Sequence, residues 1–457
     1  SSAARRVVAD GTPDECCMAK RYWEMAVSNE RIVYKTDFDK YVLVSNFERL
    51  GWIRATDEDF DVYWASVHNV RPLFNPDNAL KRLRDGQVVN HFPNHYELTR
   101  KDLMARNIKR YRRDRERQET LKAQVQKGQS EPSLPSALFD KVPAEWVPAT
   151  YALPNDYAIF VEEFRKSPNS TWIAKPTGKA QGRGIFLVSK LNQLKRWSNN
   201  APKDKSSTGQ ALPFREPYII SRYIGEPLLV GGKKFDMRLY VLVTSYRPLK
   251  VYLYRGGFCR FCVEQYSSDV AEIDNIFVHL TNVAIQKQAE DYNEQHGGKW
   301  AISDLMLFIE STRGKAASDK LASDMEQVIV HSLKAVQGVI INDKHSFEMY
   351  GFDILLDKDL RPWLLEVNAS PSLTTTTEDD RLLKLRLIND VLNIVVQEKR
   401  GTAEGDEDDI MLGDFACIYD ERSQLPDKDR KPPRGLQRRN TAGMAKTTSW
   451  PKAGYWR

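Results

Sequence analysis

Two apolar segments joined by a short polar turn constrain the fold of this 457-residue chain more than any other feature. Tyr350–Asp357 reads YGFDILLD, and Pro362–Pro371 reads PWLLEVNASP. Two such runs on either side of a turn predict an antiparallel hairpin, with strands over 347–356 and 362–367.

Polar residues interrupt both strands of this hairpin. Because side chains alternate along a strand, Glu366 and Asn368 share one face, and Asp353 of the facing strand can meet them. Two carboxylates and an amide oxygen are hard ligands, and an incomplete set of this kind suits Mg²⁺ that is bound together with a nucleotide. The alternative is a hairpin with polar edge residues, but a Glu and an Asn within WLLEVN do not suit an exposed surface.

A second cluster begins a strand that continues as LYVLV. Lys234, Asp236 and Arg238 alternate with apolar residues, so three charged side chains line one face while apolar side chains pack behind them. A surface ladder of ion pairs would have the same pattern. Charges that enter a buried strand are costly unless they are paired or bound to a ligand, and this favours a binding site.

A lysine and a glycine loop form a third cluster. Lys175 ends a strand predicted over 171–176, and the loop GKAQGRGI at 178–185 leads into a strand predicted over 184–189. A cation beside several unshielded backbone N–H groups can close over a phosphate chain. The spacing is neither that of a P-loop nor that of a Rossmann fingerprint, and a hairpin that merely needs glycines is the alternative.

Further elements are predicted from periodicity, with strands over 218–224, 237–246, 250–254 and 258–263, and helices over 302–310, 319–341 and 379–394. Strands that return after helical segments predict an α/β or α+β fold built round a mostly antiparallel sheet. The expected units are an N-terminal extension (1–30), a small mixed α/β subdomain (31–126), a linker rich in Pro and Ser (127–148), a larger unit (149–398) and a mobile tail, acidic and then basic (399–457).

Charge is distributed unevenly along the chain, although the net charge of +6 is modest. Arg106–Lys122 and Arg430–Arg457 are basic, and Glu404–Asp409 is acidic. Nucleic acid, acidic lipid or an acidic protein tail would each satisfy the basic segments. A solvated helix face followed by a disordered tail is the alternative.

No membrane span and no secretory signal are predicted, because no run of about 18 apolar residues occurs, so the protein is expected to be intracellular. The odd number of cysteines, five, favours free thiols in a reducing compartment. Cys259 and Cys262 have zinc-like spacing, but no second pair follows and a strand would point them to opposite faces, so no metal is predicted there. His279 is either a base or a hydrogen-bonded structural histidine.

The order of the clusters, a lysine, a glycine loop, Lys-x-Asp-x-Arg, then Asp and Glu-x-Asn, resembles that of the ATP-grasp ligases. From about residue 32 to residue 395 the chain resembles the tubulin tyrosine ligase-like family, and within it the compact polyglutamylases. The phrases that carry the resemblance are NHFPNHYELTRK (90–101), VEEF (161–164), HLTNVAIQK (279–287) and EVNASPSL (366–373). The resemblance implies an ATP-grasp fold for the catalytic unit at 149–398, preceded by a small N-terminal subdomain.

The resemblance also implies roles for individual residues. The implied ATP-binding residues, which include the phosphate-covering loop and an adenine hinge at 218–223, are Lys175, Gln181, Gly182, Arg183, Gly184, Ile185, Tyr218, Ile219, Ile220, Ser221, Arg222, Tyr223, Lys234 and Asp236. The implied catalytic residues are Asp236, Arg238 and Lys101, the substrate-binding residues are Arg260, Thr281 and Asn282, and the magnesium ligands are Asp353, Glu366 and Asn368. Ser221 stands where several members have glutamine, so backbone groups are expected to recognise adenine there.

The activity that the resemblance implies is ATP-dependent ligation of glutamate to glutamate side chains in tubulin C-terminal tails. ATP would convert a tail carboxylate into an acyl phosphate, from which the amine of free L-glutamate displaces phosphate. The implied partners are tubulin tails, microtubules and non-catalytic subunits of a polyglutamylase complex, with no nucleic acid and no membrane span. The implied location is the cytoplasm and cytoskeleton, at a ciliary or flagellar axoneme or basal body.

Two alternatives stay open. A glycylase or a tyrosine ligase of the same family would differ from a glutamylase only in pocket residues. A microtubule-binding scaffold that has lost catalysis is opposed by the intact Lys175, Asp236 and Arg238 and by the hairpin carboxylates. In either case the basic segment at 106–122 would attract an acidic tail with a strong dependence on salt.

Overall fold

The computed structural model describes residues 31–75, 82–126, 139, 142, 143, 145–197, 217–269, 272–292, 298–400 and 412–424. The predicted extension at 1–30, most of the linker and both charged parts of the tail lie outside these residues. The strands are β1 (Val33–Thr36), β2 (Ile53–Arg54), β3 (Val62–Trp64), β4 (Val88–Val89), β5 (Thr150–Leu153), β6 (Trp172–Pro176), β7 (Phe186–Val188), β8 (Tyr218–Arg222), β9 (Leu229–Val230), β10 (Lys233–Tyr246), β11 (Leu249–Phe261), β12 (Lys299–Ala301), β13 (Glu348–Leu356), β14 (Pro362–Asn368) and β15 (Phe415–Asp420).

The helices are α1 (Tyr41–Arg49), α2 (Val67–Leu73), α3 (Tyr96–Thr99), α4 (Lys101–Gln126), α5 (Tyr157–Lys166), α6 (Ile276–His279), α7 (Val283–Gln286), α8 (Ile302–Arg313), α9 (Lys315–Gln337) and α10 (Glu378–Arg400), and 3₁₀ helices cover Leu191–Trp197 and Arg422–Gln424. Within the described segments, no helix combines the length and the apolar character that crossing a bilayer requires.

An antiparallel sheet is the centre of the fold and has seven strands among the described residues. Its path is β12-β11-β10-β13-β14, while β15 pairs with β11 and β9 pairs with β10. β10 separates two apolar cores because its side chains alternate: Met237 and Val241 face α8 and α9, and Tyr240 and Leu242 face α10 and the N-terminal unit. The predicted α+β architecture round a mostly antiparallel sheet is confirmed.

The N-terminal unit is a small parallel sheet in the order β2-β1-β3-β4, with α1 packed against it. It joins the central sheet at β4, since the Val89 N–H donates to the His345 carbonyl and the Phe347 N–H donates to the Val89 carbonyl. The chain then continues through α3 into α4. The N-terminal end of α4 is therefore held close to the edge of the central sheet, and α3 itself contacts β14.

A third sheet, antiparallel in the order β5-β8-β6-β7, has its own core. Phe160 and Phe164 of α5 pack against Trp172 of β6, and all three side chains are buried. The other face of this sheet looks towards the central sheet across a cleft.

Two predictions about strands are wrong. The predicted break between 250–254 and 258–263 does not occur, because β11 runs through Gly256 and Gly257 without a turn. A Cβ atom on Gly257 would lie 2.6 Å from the Arg238 carbonyl oxygen, so glycine there permits close approach of β10. The predicted mobile tail from residue 399 contains β15, whose Phe415 and Tyr419 are buried against the central sheet.

Candidate active site

A cleft lies between the two antiparallel sheets, and both sheets contribute charged side chains to it. One wall comes from β5, β6 and β8, and the other from β10, β11, β13 and β14. The charged side chains that line it in the described part of the chain are the cations Lys101, Lys175, Arg222, Lys234 and Arg260 and the carboxylates Asp236, Asp353 and Glu366. The excess of cations suits an anionic ligand.

A row of charged side chains crosses the central sheet along this cleft. Arg238 of β10 lies opposite Asp353 of β13, which in turn lies opposite Glu366 of β14. Asp236 of β10 lies opposite Arg260 of β11. Since residues directly opposite each other in a sheet share a face, the structure brings together two clusters that lie more than a hundred residues apart in the sequence.

Buried ion pairs hold the middle of this row. Arg238 Nε donates to Asp353 Oδ1 at 2.5 Å, and Arg260 Nη2 lies 2.9 Å from Asp353 Oδ2. Arg260 also donates through Nε to Asp236 Oδ1 at 2.8 Å. Burial raises the pKa of Asp353, but the two guanidinium groups outweigh it and hold the pKa well below its usual value. Asp353 is therefore an anion at neutral pH, and its ion pairs fix its orientation.

The hairpin brings Asp353, Glu366 and Asn368 together on one face, with the amide nitrogen of Asn368 towards both carboxylates. Asn368 Nδ2 lies 3.4 Å from Asp353 Oδ2 and 3.5 Å from Glu366 Oε1, and Lys101 Nζ lies 3.0 Å from Glu366 Oε2. In the segments that the structure describes, no three His, Cys, Asp or Glu side chains meet in a way that could hold a metal. The donor set fits a hard cation that takes its other oxygen ligands from phosphate and water.

Lys175 faces the cleft from β6 and is partly buried. Its Nζ has no hydrogen bond and no ion pair with any residue that the structure describes. Burial lowers the pKa of Lys175 to about 8, with Glu366 opposing this effect and the charges of Lys101 and Lys234 adding to it. A partly buried ammonium group without a protein partner is costly, so this position favours an anionic ligand.

Lys234, by contrast, has protein partners. Its Nζ donates to Tyr223 Oη at 2.9 Å and to the His279 carbonyl oxygen at 2.9 Å. His279 Nε2 lies 3.0 Å from the Glu272 carbonyl oxygen, which can only accept, so Nε2 carries the proton and Nδ1 accepts from Tyr223 Oη at 3.0 Å. Both ring nitrogens are thus engaged, and the geometry favours a structural role for His279.

The glycine loop forms a turn at 181–184 beside the cleft. Gln181, Gly182 and Gly184 have φ angles of 62°, 77° and 74°, the left-handed region that favours glycine. A Cβ atom on Gly182 would lie 2.4 Å from Ile285 Cδ1, so a larger residue would have to displace that side chain as well as adopt the left-handed conformation. Gln181 adopts this conformation without being a glycine, and such strain is common at functional sites.

Only some residues of the implied adenine hinge, on and just after β8, line the cleft. Ile219, Ser221, Arg222 and Tyr223 line it, as do Ile185, Thr281 and Asn282 from other segments. Tyr218 and Ile220 instead lie in the core of the third sheet, because alternate residues of a strand face opposite sides. Tyr218 Oη donates to the Gly184 carbonyl oxygen at 3.2 Å, so it anchors the glycine loop.

Other predicted residues lie next to the cleft but do not line it. These are Gln181, Gly182, Arg183 and Gly184 of the loop, together with Arg238 and Asn368, which reach the site through Asp353. Sequence reasoning missed Thr150, whose Oγ1 lies 2.8 Å from Ser221 Oγ in the cleft. The sequence pattern that would predict a strand at Thr150 was weak, because β5 is only four residues long and follows Pro148 closely.

Comparison with known proteins gives consistent matches. A model of the tubulin-tyrosine ligase family matches residues 79–403. The chain is 48% identical over 406 residues to the probable alpha-tubulin polyglutamylase Ttll1 of Tetrahymena thermophila, a match that covers 87% of this chain and 95% of that protein. It is 40% identical over 378 residues to the probable tubulin polyglutamylase TTLL9 of Bos taurus, covering 78% of this chain and 77% of that protein.

A longer protein is also similar. The tubulin polyglutamylase TTLL5 of Mus musculus is 33% identical over 358 residues, which are 75% of this chain but only 23% of that protein. The charged residues that line the cleft all lie within the matched range of 79–403.

Proposed function

The chain belongs to the tubulin-tyrosine ligase family, and from this membership we propose that it is an ATP-dependent ligase that joins glutamate to glutamate side chains in tubulin C-terminal tails. The names of its relatives support glutamate as the amino acid and tubulin as the acceptor, since proteins at 40–48% identity are named as probable tubulin polyglutamylases. These names favour a glutamylase over the glycylase and tyrosine ligase alternatives.

Lys175 is the observation that carries the proposal of an ATP-dependent reaction. Its ammonium group faces the cleft, partly buried, and has no partner among the described residues. A scaffold that had lost catalysis would have no need for a partly buried, unpaired cation, which costs stability unless an anion binds it. The phosphates of ATP would provide that anion, with Lys234 on the facing wall as a second contact.

ATP would transfer its terminal phosphoryl group to a tail carboxylate and leave as ADP, and the amine of free glutamate would then displace inorganic phosphate from the acyl phosphate and lose a proton. Magnesium, when bound, would supply positive charge for the first step. Asp353, Glu366 and Asn368 would hold the metal. Lys175 and Lys234 would bind phosphate oxygens, and Arg238 would stabilise negative charge at the transferring group. The turn at 181–184 would exclude water, so that ligation is favoured over hydrolysis.

Arg260 would hold a substrate carboxylate through its planar guanidinium group. Asp236 fixes the orientation of that group through two hydrogen bonds, so the carboxylate site is preformed. Lys101, which pairs with Glu366, would help to orient the hairpin carboxylate and brings the N-terminal unit into the site.

We extend the proposal to partners and location. An enzyme that modifies tubulin acts on the cytoskeleton, and the acidic tails of microtubules are the expected acceptors. Axonemes or basal bodies of cilia and flagella, and non-catalytic subunits that hold the enzyme on the microtubule, remain part of this proposal. Its support is the similarity to proteins named as tubulin polyglutamylases.

The test combines purified protein with tubulin, ATP, magnesium and isotopically labelled glutamate, glycine or tyrosine, followed by mass spectrometry of the tail peptides. We expect glutamate addition only. Lys175→Gln should raise the KM for ATP and reduce the rate strongly, whereas Lys190→Gln, an exposed lysine of the same unit, should have no effect. Addition of glycine or tyrosine would support the alternative ligases, and nucleotide binding without any addition would support the scaffold.

A further inference from the structure

The charged row of the central sheet continues one strand beyond Arg260. Lys299 of β12 lies directly opposite Arg260 of β11, so the two side chains share the face that carries Asp236. From β14 to β12 the row therefore runs from carboxylates at the hairpin end to two adjacent cations at the other end. Lys299 was not among the predicted site residues.

Lys299 is part of a buried cluster with an excess of positive charge. Its Nζ lies 3.1 Å from Asp380 Oδ2, donates to Thr376 Oγ1 at 3.0 Å and lies 4.6 Å from the centre of the Phe258 ring. Asp380 is shared, because Lys384 Nζ lies 3.0 Å from its Oδ1. One carboxylate thus serves two ammonium groups, which leaves one positive charge without a counterpart in the cluster.

The charges elsewhere in the row offer no compensation. Arg238 and Arg260 are balanced by Asp236 and Asp353, and Lys101 is balanced by Glu366. Lys299 lies directly opposite Arg260, and burial lowers the pKa of Lys299, with Asp380 opposing this effect and the charge of Arg260 adding to it. Two adjacent cations of this kind are stabilised when an anion bridges or contacts both.

Lys299 does not itself line the cleft, but it lies directly opposite Arg260, which does, and it is more exposed than Lys384. The Lys299 side chain is 12% exposed, similar to the 13% of Lys101 and the 10% of Arg260, which line the cleft, whereas Lys384 is 4% exposed. Lys384 also donates to the Thr374 carbonyl oxygen at 2.6 Å and so holds the segment before α10.

We propose that Lys299 binds the side-chain carboxylate of the donor glutamate while Arg260 binds its main-chain carboxylate. This inference rests on the proposed function. Neighbouring strands are about 4.8 Å apart, so two cations on adjacent strands can each take one carboxylate of a short dicarboxylic amino acid. Glycine, tyrosine and glutamine each have a single carboxylate and would leave the excess positive charge beside Arg260 without an anion, so the site should discriminate against them.

The experiment compares donors in steady-state ligation by wild type, Lys299→Gln and Lys287→Gln. Lys287 is an exposed cation whose charge also acts on Lys299, so it is a matched control for a change in the local field. In Lys299→Gln we expect the KM for glutamate to rise at least tenfold and the preference for glutamate over glutamine to fall at least tenfold. The KM for ATP should stay within twofold, and Lys287→Gln should resemble wild type throughout.

A second measurement does not depend on the folding of a variant. In wild-type protein with a non-hydrolysable ATP analogue, glutamate should decrease acetylation of Lys299 by an amine-reactive reagent, as read by peptide mass spectrometry, and glutamine should not. Acetylation of Lys287 should be the same with and without glutamate, and it serves as the reference.

The outcomes separate this inference from the proposed function. If wild type adds no glutamate to tubulin, the proposed function fails. If wild type adds glutamate but Lys299→Gln keeps its KM for glutamate within twofold, or loses activity equally with all donors, Lys299 has only a structural role. Equal labelling of Lys299 with and without glutamate would lead to the same conclusion.

Discussion

Neighbouring charges determine which carboxylate of the hairpin a ligand can reach. Asp353 is bound by two arginines and its side chain is only 3% exposed. Glu366 has one partner, Lys101, and its side chain is 24% exposed. Lysine is a flexible point charge with rotatable donors, so it can release a carboxylate more easily than two fixed guanidinium groups can. Glu366 is therefore the hairpin carboxylate that a ligand in the cleft can reach more easily, and its substitution should have the larger effect on ligand binding.

We predict that Glu366→Gln abolishes ligation while the fold stays intact. The substitution removes one of few anionic oxygens at the hairpin, and the amide that takes its place is a poor magnesium ligand. The substitution also removes the ion-pair partner of Lys101. Ligation at saturating magnesium, with a thermal melt of the same protein, measures both effects. Asp359→Asn, in the exposed turn of the same hairpin, is the matched control. Near-normal activity of Glu366→Gln would refute the metal assignment.

The lowered pKa of Lys175 predicts a pH dependence of nucleotide binding. Below a pKa of about 8 the Lys175 side chain is protonated and can bind phosphate; as the pH rises through 8, it loses its charge. The affinity for ATP should therefore decrease between pH 7 and pH 9.5. In Lys175→Arg, whose guanidinium group stays protonated, this decrease should be absent between pH 7 and pH 9.5. Titration calorimetry measures both, and a wild-type affinity that is constant over this range contradicts the assignment.

Helix α4 connects the site to the surface. It begins at Lys101 in the cleft, and Met104, Ile108 and Tyr111 pack against the core. On its other side, cations recur at intervals of four, three and four residues at Arg106, Arg110, Arg113 and Arg117. No ion pair links these four arginines to a carboxylate in the part of the chain that the structure describes. At 1.5 Å per residue the stripe is about 16 Å long, which corresponds to roughly five residues of an extended peptide.

We predict that changing the four arginines of the stripe to glutamine raises the KM for tubulin and leaves the KM for ATP and glutamate unchanged. Exposed ion pairs contribute about 0–1 kcal/mol each, so a combined effect of roughly tenfold is expected at low salt and little at high salt. Removal of four exposed cations on other elements, Arg71, Arg165, Lys190 and Arg313, is the matched control. If both variants weaken tubulin binding equally, net charge rather than the helix is responsible.

Local patterns predicted the long elements but not the short ones. The hairpin, predicted over 347–356 and 362–367, is observed at Glu348–Leu356 and Pro362–Asn368, because its apolar runs are continuous and the turn is polar. β12 has three residues and is a strand only because β11 pairs with it, and such a tertiary cause leaves no local pattern. The failure to predict β12 is also why Lys299 was missed. In the same way, the pairing of Arg238 with Asp353 depends on strand register and could not be inferred from spacing alone.

At the scale of the whole molecule, buried contacts tie the N-terminal unit to the hairpin of β13 and β14. His91 Nδ1 lies 2.8 Å from Glu348 Oε1, and the Phe92 N–H donates to Glu348 Oε2 at 3.0 Å. His91 and Glu348 are fully buried, and Glu348 begins β13, the strand that carries Asp353. This contact fixes the start of α3 and α4, and hence the position of Lys101 at Glu366. The N-terminal unit is therefore part of the site and not an independent attachment.

The last strand of the central sheet gives a prediction about the limits of the folded unit. Phe415 packs against Tyr254, with ring centres 4.9 Å apart, and Tyr419 packs against Phe139 at 5.5 Å. Burying each large side chain contributes about 1.5–3 kcal/mol, out of a total of about 5–15 kcal/mol for a typical domain. A chain that ends at residue 411 should therefore melt several degrees lower and aggregate, because β11 then exposes an unpaired edge. A chain that ends at residue 424 keeps β15 and should melt like the full chain in differential scanning fluorimetry. If both truncated chains melt alike, β15 does not stabilise the sheet.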